Sequence, residues 1–188
     1  MAHNLRPFRD YDEHDVVNLF AFSGNAESTS VVLTKGAVVK VQAPGFNPLI
    51  ASLSTPNDMQ GSVGASYTNT VSERYGVASK VSLAASGENA LGLTLLDIRE
   101  LDENGEKLIF NPRKAAEMNV VLSGQTVPVL TKGLVLYSGV AATAGHVAWV
   151  GATAGDLNSS ATLPAGATKV GRWLGTSVQN VALLKIEL

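Results

Sequence analysis

The sequence contains no cysteine, which removes a disulfide framework, a thiolate zinc site and a cysteine nucleophile together. Aromatic residues are 6% and charged residues 16% of the 188, the latter against about 25% in an average soluble domain. Lys and Arg never gather into a long run, and the net charge is −2. Tight binding of nucleic acid needs clustered cations to displace counterions, so it is not expected. No apolar run approaches the ~18 residues of a membrane span. No basic segment followed by an apolar core stands near residue 1, so neither a membrane helix nor a signal peptide is expected.

What is present is small and neutral. Hydrophobic residues are 45%, mostly Ala, Val and Leu, accompanied by 18 Gly and by many Ser and Thr. That share is enough for a real core, and 188 residues suit one domain, with or without an arm. A surface of small uncharged groups is common where protein packs on protein.

One phrase occurs twice. Val32-Leu33-Thr34-Lys35-Gly36-Ala37-Val38-Val39 returns as Val129-Leu130-Thr131-Lys132-Gly133-Leu134-Val135-Leu136, with the glycines 97 positions apart (133 − 36). β-Branched and aliphatic residues suit a pleated, half-buried surface, and Gly inside such a run marks a bulge or bend. Both copies therefore read as strands bent at a sheet corner. Their flanks differ, so one local problem solved twice explains them better than duplication of half the chain.

Along the chain, residues 1–15 are the most charged and least apolar. They read as an extended N-terminal arm with three apolar anchors, Leu5, Phe8 and Tyr11, since Pro7 discourages helix before it. The rest, 16–188, reads as a single β-rich domain. Val16-Val17-Asn18-Leu19-Phe20-Ala21-Phe22 is the first strand candidate. Residues 43–74 form a loop-rich excursion full of Pro, Gly, Asn and Asp turn signals. Val77, Ser79, Val81 and Leu83 alternate with polar or small neighbours. The run 91–99 places Leu91, Leu93 and Leu95 on one face by a spacing of two. Asn104-Gly105 predicts a tight hairpin with Lys107-Leu108-Ile109-Phe110 as the return strand. Asn111 as cap and Pro112 at the first helical position predict one short helix near 112–118. Further strands are expected at 146–150, 167–170 and 181–188, where Leu184, Ile186 and Leu188 alternate with Leu183, Lys185 and Glu187. The fold class is therefore all-β, a β-barrel or tulip-like domain or a sandwich.

Residues suited to chemistry are sparse. Asp10, Asp12, His14 and Asp15 lack the glycine turn and distal Glu of a calcium loop, so no metal site is expected and a partner-facing charge patch is the better reading. Asp102-Glu103-Asn104-Gly105-Glu106 is explained by a hairpin tip. No Gly-x-Ser-x-Gly elbow occurs, and Gly151-Ala152-Thr153-Ala154-Gly155 lacks the Lys and following helix of a phosphate loop. His146 reads as a loop or surface residue. Trp149 and Trp173 suit a sugar platform, but more often fill a core or interface. No enzyme, catalytic residue or cofactor is expected.

The residues 3–11 (His3-Asn4-Leu5-Arg6-Pro7-Phe8-Arg9-Asp10-Tyr11), Glu73-Arg74-Tyr75 and the stretch 92–99 resemble structural proteins of tailed bacteriophages, as does 103–117. The stretch 124–133 and the ending Val170-Gly171-Arg172-Trp173-Leu174-Gly175 are similar to β-rich phage head decoration, or cement, proteins. The resemblance implies a virion structural protein on the capsid exterior, assembled in the host cytoplasm, that stabilises the shell. It implies two partners, the major capsid protein and the chain itself as a homotrimer, and neither nucleic acid nor membrane. An N-terminal arm contacting the lattice is part of that pattern. On it, Leu5, Phe8 and Tyr11 are the expected anchors, with Arg6 and Arg9 pairing to capsid carboxylates. The alternative is another virion surface module, in a tail, fibre or head fibre, that adheres to host glycans through Trp149 or Trp173.

Overall fold

The computed structural model describes residues 4–7, 11–12, 15–23, 31–43, 45, 79–122 and 124–188. These form an all-β, sandwich-like structure with one short α-helix, and none of its sheets closes into a barrel. Most of the expected excursion 43–74 lies outside the described residues.

The outer sheet is wholly antiparallel. Its order is β1 (Asn4–Pro7), β11 (Lys132–Ser138), β15 (Val181–Glu187), β14 (Lys169–Trp173), β12 (Val147–Val150) and β13 (Leu157–Ser160). The expected alternation in β15 holds: Ala182, Leu184 and Ile186 are buried while Lys185 and Glu187 are exposed. Leu188 lies past the strand and is exposed.

The central sheet runs β2 (Val16–Val17), β10 (Val129–Leu130), β7 (Gly92–Thr94), β5 (Val38–Val41), β6 (Lys80–Leu83) and β3 (Ala21–Phe22). The run expected as one strand at 16–22 is thus two edge strands. A bridge between Ala21 and Thr126, with Val127 N–H donating to the Phe20 carbonyl (2.8 Å), brings β3 back toward β10, so this sheet curls strongly. Both of its faces are buried. Val38, Leu93 and Leu130 join the core shared with the outer sheet, where Leu5, Val135, Tyr137, Trp173, Leu184 and Ile186 lie. Their neighbours Val39 and Val129 turn the other way, into a second cluster with Phe20 and Val81. A residue-by-residue switch between two apolar cores explains the unbroken Val-Val and Val-Leu pairs, because a layer covered on both sides has no polar face.

A third, small sheet of β4 (Val31–Leu33), β8 (Asp97–Arg99) and β9 (Val120–Val121) closes the far side around Ile98, Val121 and Val127. The run 91–99 is therefore not one strand: β7 belongs to the central sheet and β8 to the small one. Leu95 packs into the first core and Leu96 into the third, so the chain crosses between layers there. Gly92 lets β7 lie close against β10 within the central sheet. A Cβ on it would lie 2.2 Å from the Leu130 carbonyl oxygen.

The two Thr-Lys-Gly copies each hand the chain from one sheet to the next, β4 to β5 and β10 to β11. Both glycines have positive φ, 91° at Gly36 and 146° at Gly133, where side chains are strained. The first corner is held by Gly36 N–H donating to the Thr94 carbonyl (2.7 Å) and Lys35 N–H donating to Asp97 Oδ1 (2.7 Å).

The expected return strand 107–110 is instead a single 3-10 turn, Leu108–Phe110, with only an isolated Leu101–Lys107 bridge before it. Asp102 is the cause. Buried at the loop base, it accepts from Asn104 N–H and Glu106 N–H through Oδ1, both at 2.8 Å, and pairs with the Lys114 ammonium through Oδ2. Lys114 stands on α1 (Pro112–Glu117), whose Asn111 cap and leading Pro112 are as expected. This carboxylate-centred clamp replaces a two-residue hairpin.

The Lys114 contact, aided by the Glu106 and Asn104 amides, holds the Asp102 carboxyl below its ordinary range. A folded-state pKa below the unfolded one means that the unfolded chain takes up the proton first. Its stabilisation is full above the unfolded value, about 4, and disappears as pH falls through the folded value. Urea unfolding of Asp102→Asn beside the parent should show a deficit at neutral pH that narrows in strong acid. A deficit independent of pH would mean that the ionised carboxylate is not what holds the loop.

Candidate interaction surface

The described part of the N-terminal segment lies along one edge of both large sheets. β1 pairs with β11 from Asn4↔Ser138 to Pro7↔Val135. Tyr11 then lays its ring over the second corner: its hydroxyl donates to the Leu134 carbonyl at 2.8 Å, and a Cβ on Gly133 would meet the Tyr11 ring at 2.9 Å. Next, the Asp15 carbonyl accepts from Thr131 N–H (2.9 Å) and Oγ1 (3.0 Å), and β2 continues beside β10. The edge bends where its neighbour bends.

The five expected contact residues are thus placed differently. Leu5 is 1% exposed and sits in the main core, which corrects its reading as an outward anchor: an inward position opposite Tyr137 buries it in its own chain. Tyr11 is half-buried on the corner. Arg6 points the opposite way from Leu5 and is exposed. Phe8 and Arg9 lie outside the described residues. Leu5→Ala should cost about 2–5 kcal/mol in chemical unfolding, whereas Arg6→Ala should stay within about 0.5 kcal/mol. Equal, small losses would show that β1 is not docked as described.

Among other singled-out residues, Trp173 is fully buried, with its ring edge-on to Tyr137 at 6.0 Å. It is therefore a core residue and is closed to a sugar. Trp149 is half-buried and its indole nitrogen is covered. His146 is half-buried before β12, its Nδ1 3.4 Å from Ser159 Oγ. Asp12 is exposed, while Asp10 and His14 lie outside the described residues. Among the described residues, no group of three or more His, Asp or Glu is arranged to hold a metal ion.

Sequence reading passed over one end of the sandwich. The loop after β11 and the β14–β15 hairpin meet there: Ser177 N–H donates to the Ala142 carbonyl (2.9 Å), Ala144 N–H to Thr176 Oγ1 (3.2 Å), and Gly139 N–H to the Asn180 carbonyl (3.1 Å). No Lys, Arg, Asp or Glu occurs in 138–155 or in 174–184. Leu174, Val178 and Val181 are exposed, Val178 by 72%. At the hairpin tip Gln179 and Asn180 both take positive φ, 50° and 64°. Such a turn matches the twist of the flanking strands, and Gln there gives no composition signal of the kind Asn-Gly gives. The long uncharged runs were the available clue. The result is a hydrogen-bonded, uncharged end with an aliphatic tip, a surface suited to protein contact.

No family model, curated protein or solved structure matches the chain.

Proposed function

We propose that the protein is a non-catalytic virion structural protein that binds the outer surface of a tailed-phage capsid and stabilises the shell. The observation that carries this reading is the uncharged, aliphatic-tipped end of a sandwich that is braced by three cores. The partner is supplied by the resemblance of residues 3–11, 73–75, 92–99 and 103–117 to tailed-phage structural proteins and of 124–133 and 170–175 to phage head decoration proteins. Cementing needs no chemistry. It needs contact area across adjacent capsomers, and binding to the assembled state stabilises that state by mass action. A homotrimer at a local threefold would multiply that area.

Immunogold labelling of purified virions with antibody to the chain tests the reading. Label over intact heads is expected. Label on tails or fibres favours the host-adhesion module instead, and absence of label from virions overturns both.

A further inference from the structure

The solvent face of an antiparallel sheet is normally polar and balanced in sign. The outer sheet departs from this. Its strands carry five exposed cations, Arg6, Lys132, Lys169, Arg172 and Lys185, against one exposed carboxylate, Glu187. Both Lys169 (3.6 Å) and Lys185 (2.6 Å) reach that single carboxylate. Arg6, Lys132 and Arg172 make no ion pair within 4 Å among the described residues, although Lys132 stands opposite the same Glu187 in register. The chain as a whole is −2, so the positive charge is concentrated on this face.

Register sharpens the point. Arg172 and Lys185 are directly opposite across β14 and β15. Glu187 answers Lys185 (2.6 Å), but Arg172 stands against a like charge with no ion pair of its own among the described residues. Like charges directly opposite weaken a sheet. Beside them Leu134 faces Lys185, and Leu136 lies between Arg6 and Leu183. The cations therefore frame half-buried leucines on the same face. Nucleic acid fits this poorly. Trp149, opposite Lys169, is a single aromatic among the described residues of this face, whereas single strands stack successive bases on several such platforms, and duplexes need a longer basic track. Leucines ringed by Arg and Lys suit a protein surface with aliphatic contacts inside a rim of Asp and Glu.

We infer that the outer face of this sheet is a docking surface for an acidic protein surface, with Arg172 and Lys185 at its centre. For the identity of the partner as the capsid shell, the inference rests on the proposed function. The charge argument itself does not.

The test uses the full chain, Arg172→Glu/Lys185→Glu, and a control with the same charge change elsewhere, Lys107→Glu/Arg113→Glu. Each is passed over immobilised poly-L-glutamate and over a DNA duplex at low and high salt, and each is sedimented with phage heads stripped of the chain. The parent and the control should bind poly-L-glutamate in a salt-sensitive way and bind heads. The Arg172/Lys185 variant should lose about tenfold or more on both. Circular dichroism and an unchanged melting temperature confirm that it folds. Equal binding by parent and variant on both probes overturns the docking face, as does tighter binding of the parent to the duplex than to poly-L-glutamate. If poly-L-glutamate separates the proteins but the parent fails to sediment with heads, the face stands and the shell reading falls.

Discussion

Trp173→Ala is expected to cost about 3–5 kcal/mol of unfolding free energy, since a fully buried tryptophan leaves both lost transfer energy and a cavity. The side chain is 0% exposed and its indole N–H points to the Asn158 carbonyl at 3.4 Å. Its edge-on contact with Tyr137 adds to the loss. Tyr137 is itself buried, and burial pushes its hydroxyl pKa well above the ordinary range. Against a total stability of about 5–15 kcal/mol, the variant should show a large fall in urea midpoint. The half-exposed Trp149, changed to Ala, should lose far less. A loss near 1 kcal/mol at Trp173 would mean that the two sheets are not packed through it.

Gly171→Ala is expected to be nearly as damaging for a different reason. The added methyl would stand 2.0 Å from the Lys185 carbonyl oxygen, 3.0 Å from its carbon and 3.1 Å from Ile186 Cα. All three atoms are backbone of β15, so no rotamer change relieves the clash. β14 and β15 must separate locally, at the upper end of the about 1–3 kcal/mol seen for overpacking, or beyond it. Gly105→Ala provides the comparison. Its φ is 82° but nothing lies within 4 Å of the new methyl, so only conformational strain of about 1–2 kcal/mol remains. Thermal melts of the two variants should rank Gly171→Ala clearly below Gly105→Ala, and the reverse ranking would contradict the close strand approach.

What could be read from the sequence was local. The cap at Asn111-Pro112, the period of two in 181–188 and the bends at Gly36 and Gly133 each depend on neighbours within a few residues. Leu5 could not be placed that way. A lone leucine between Asn4 and Arg6 looks like a spaced anchor until Tyr137 is known to lie opposite it. The break at Leu95-Leu96 was hidden because leucines facing two different cores look the same as leucines facing one. β13 (Leu157-Asn158-Ser159-Ser160) was missed because Asn and Ser read as turn residues, and its pairing with β12 overrides that preference. The cationic face was not legible at all: Arg6 and Lys185 are 179 positions apart (185 − 6), and only the strand order and register bring them onto one face.

The lateral position of β1 has a consequence for how the chain is made. Leu5 leaves the ribosome ahead of its partner Tyr137, which follows 132 positions later (137 − 5). β11 is itself joined on its other side by β15, which is made later still. Pairings this remote close slowly, because chain entropy is lost before contacts compensate it. Until β11 has been made, β1 therefore lacks the strand that pairs with it and covers its leucine. During that interval the β11 edge of a neighbouring nascent copy that is further along can be available to it. Crowded polysomes, rather than the finished protein, are where strand exchange between protomers has its opportunity.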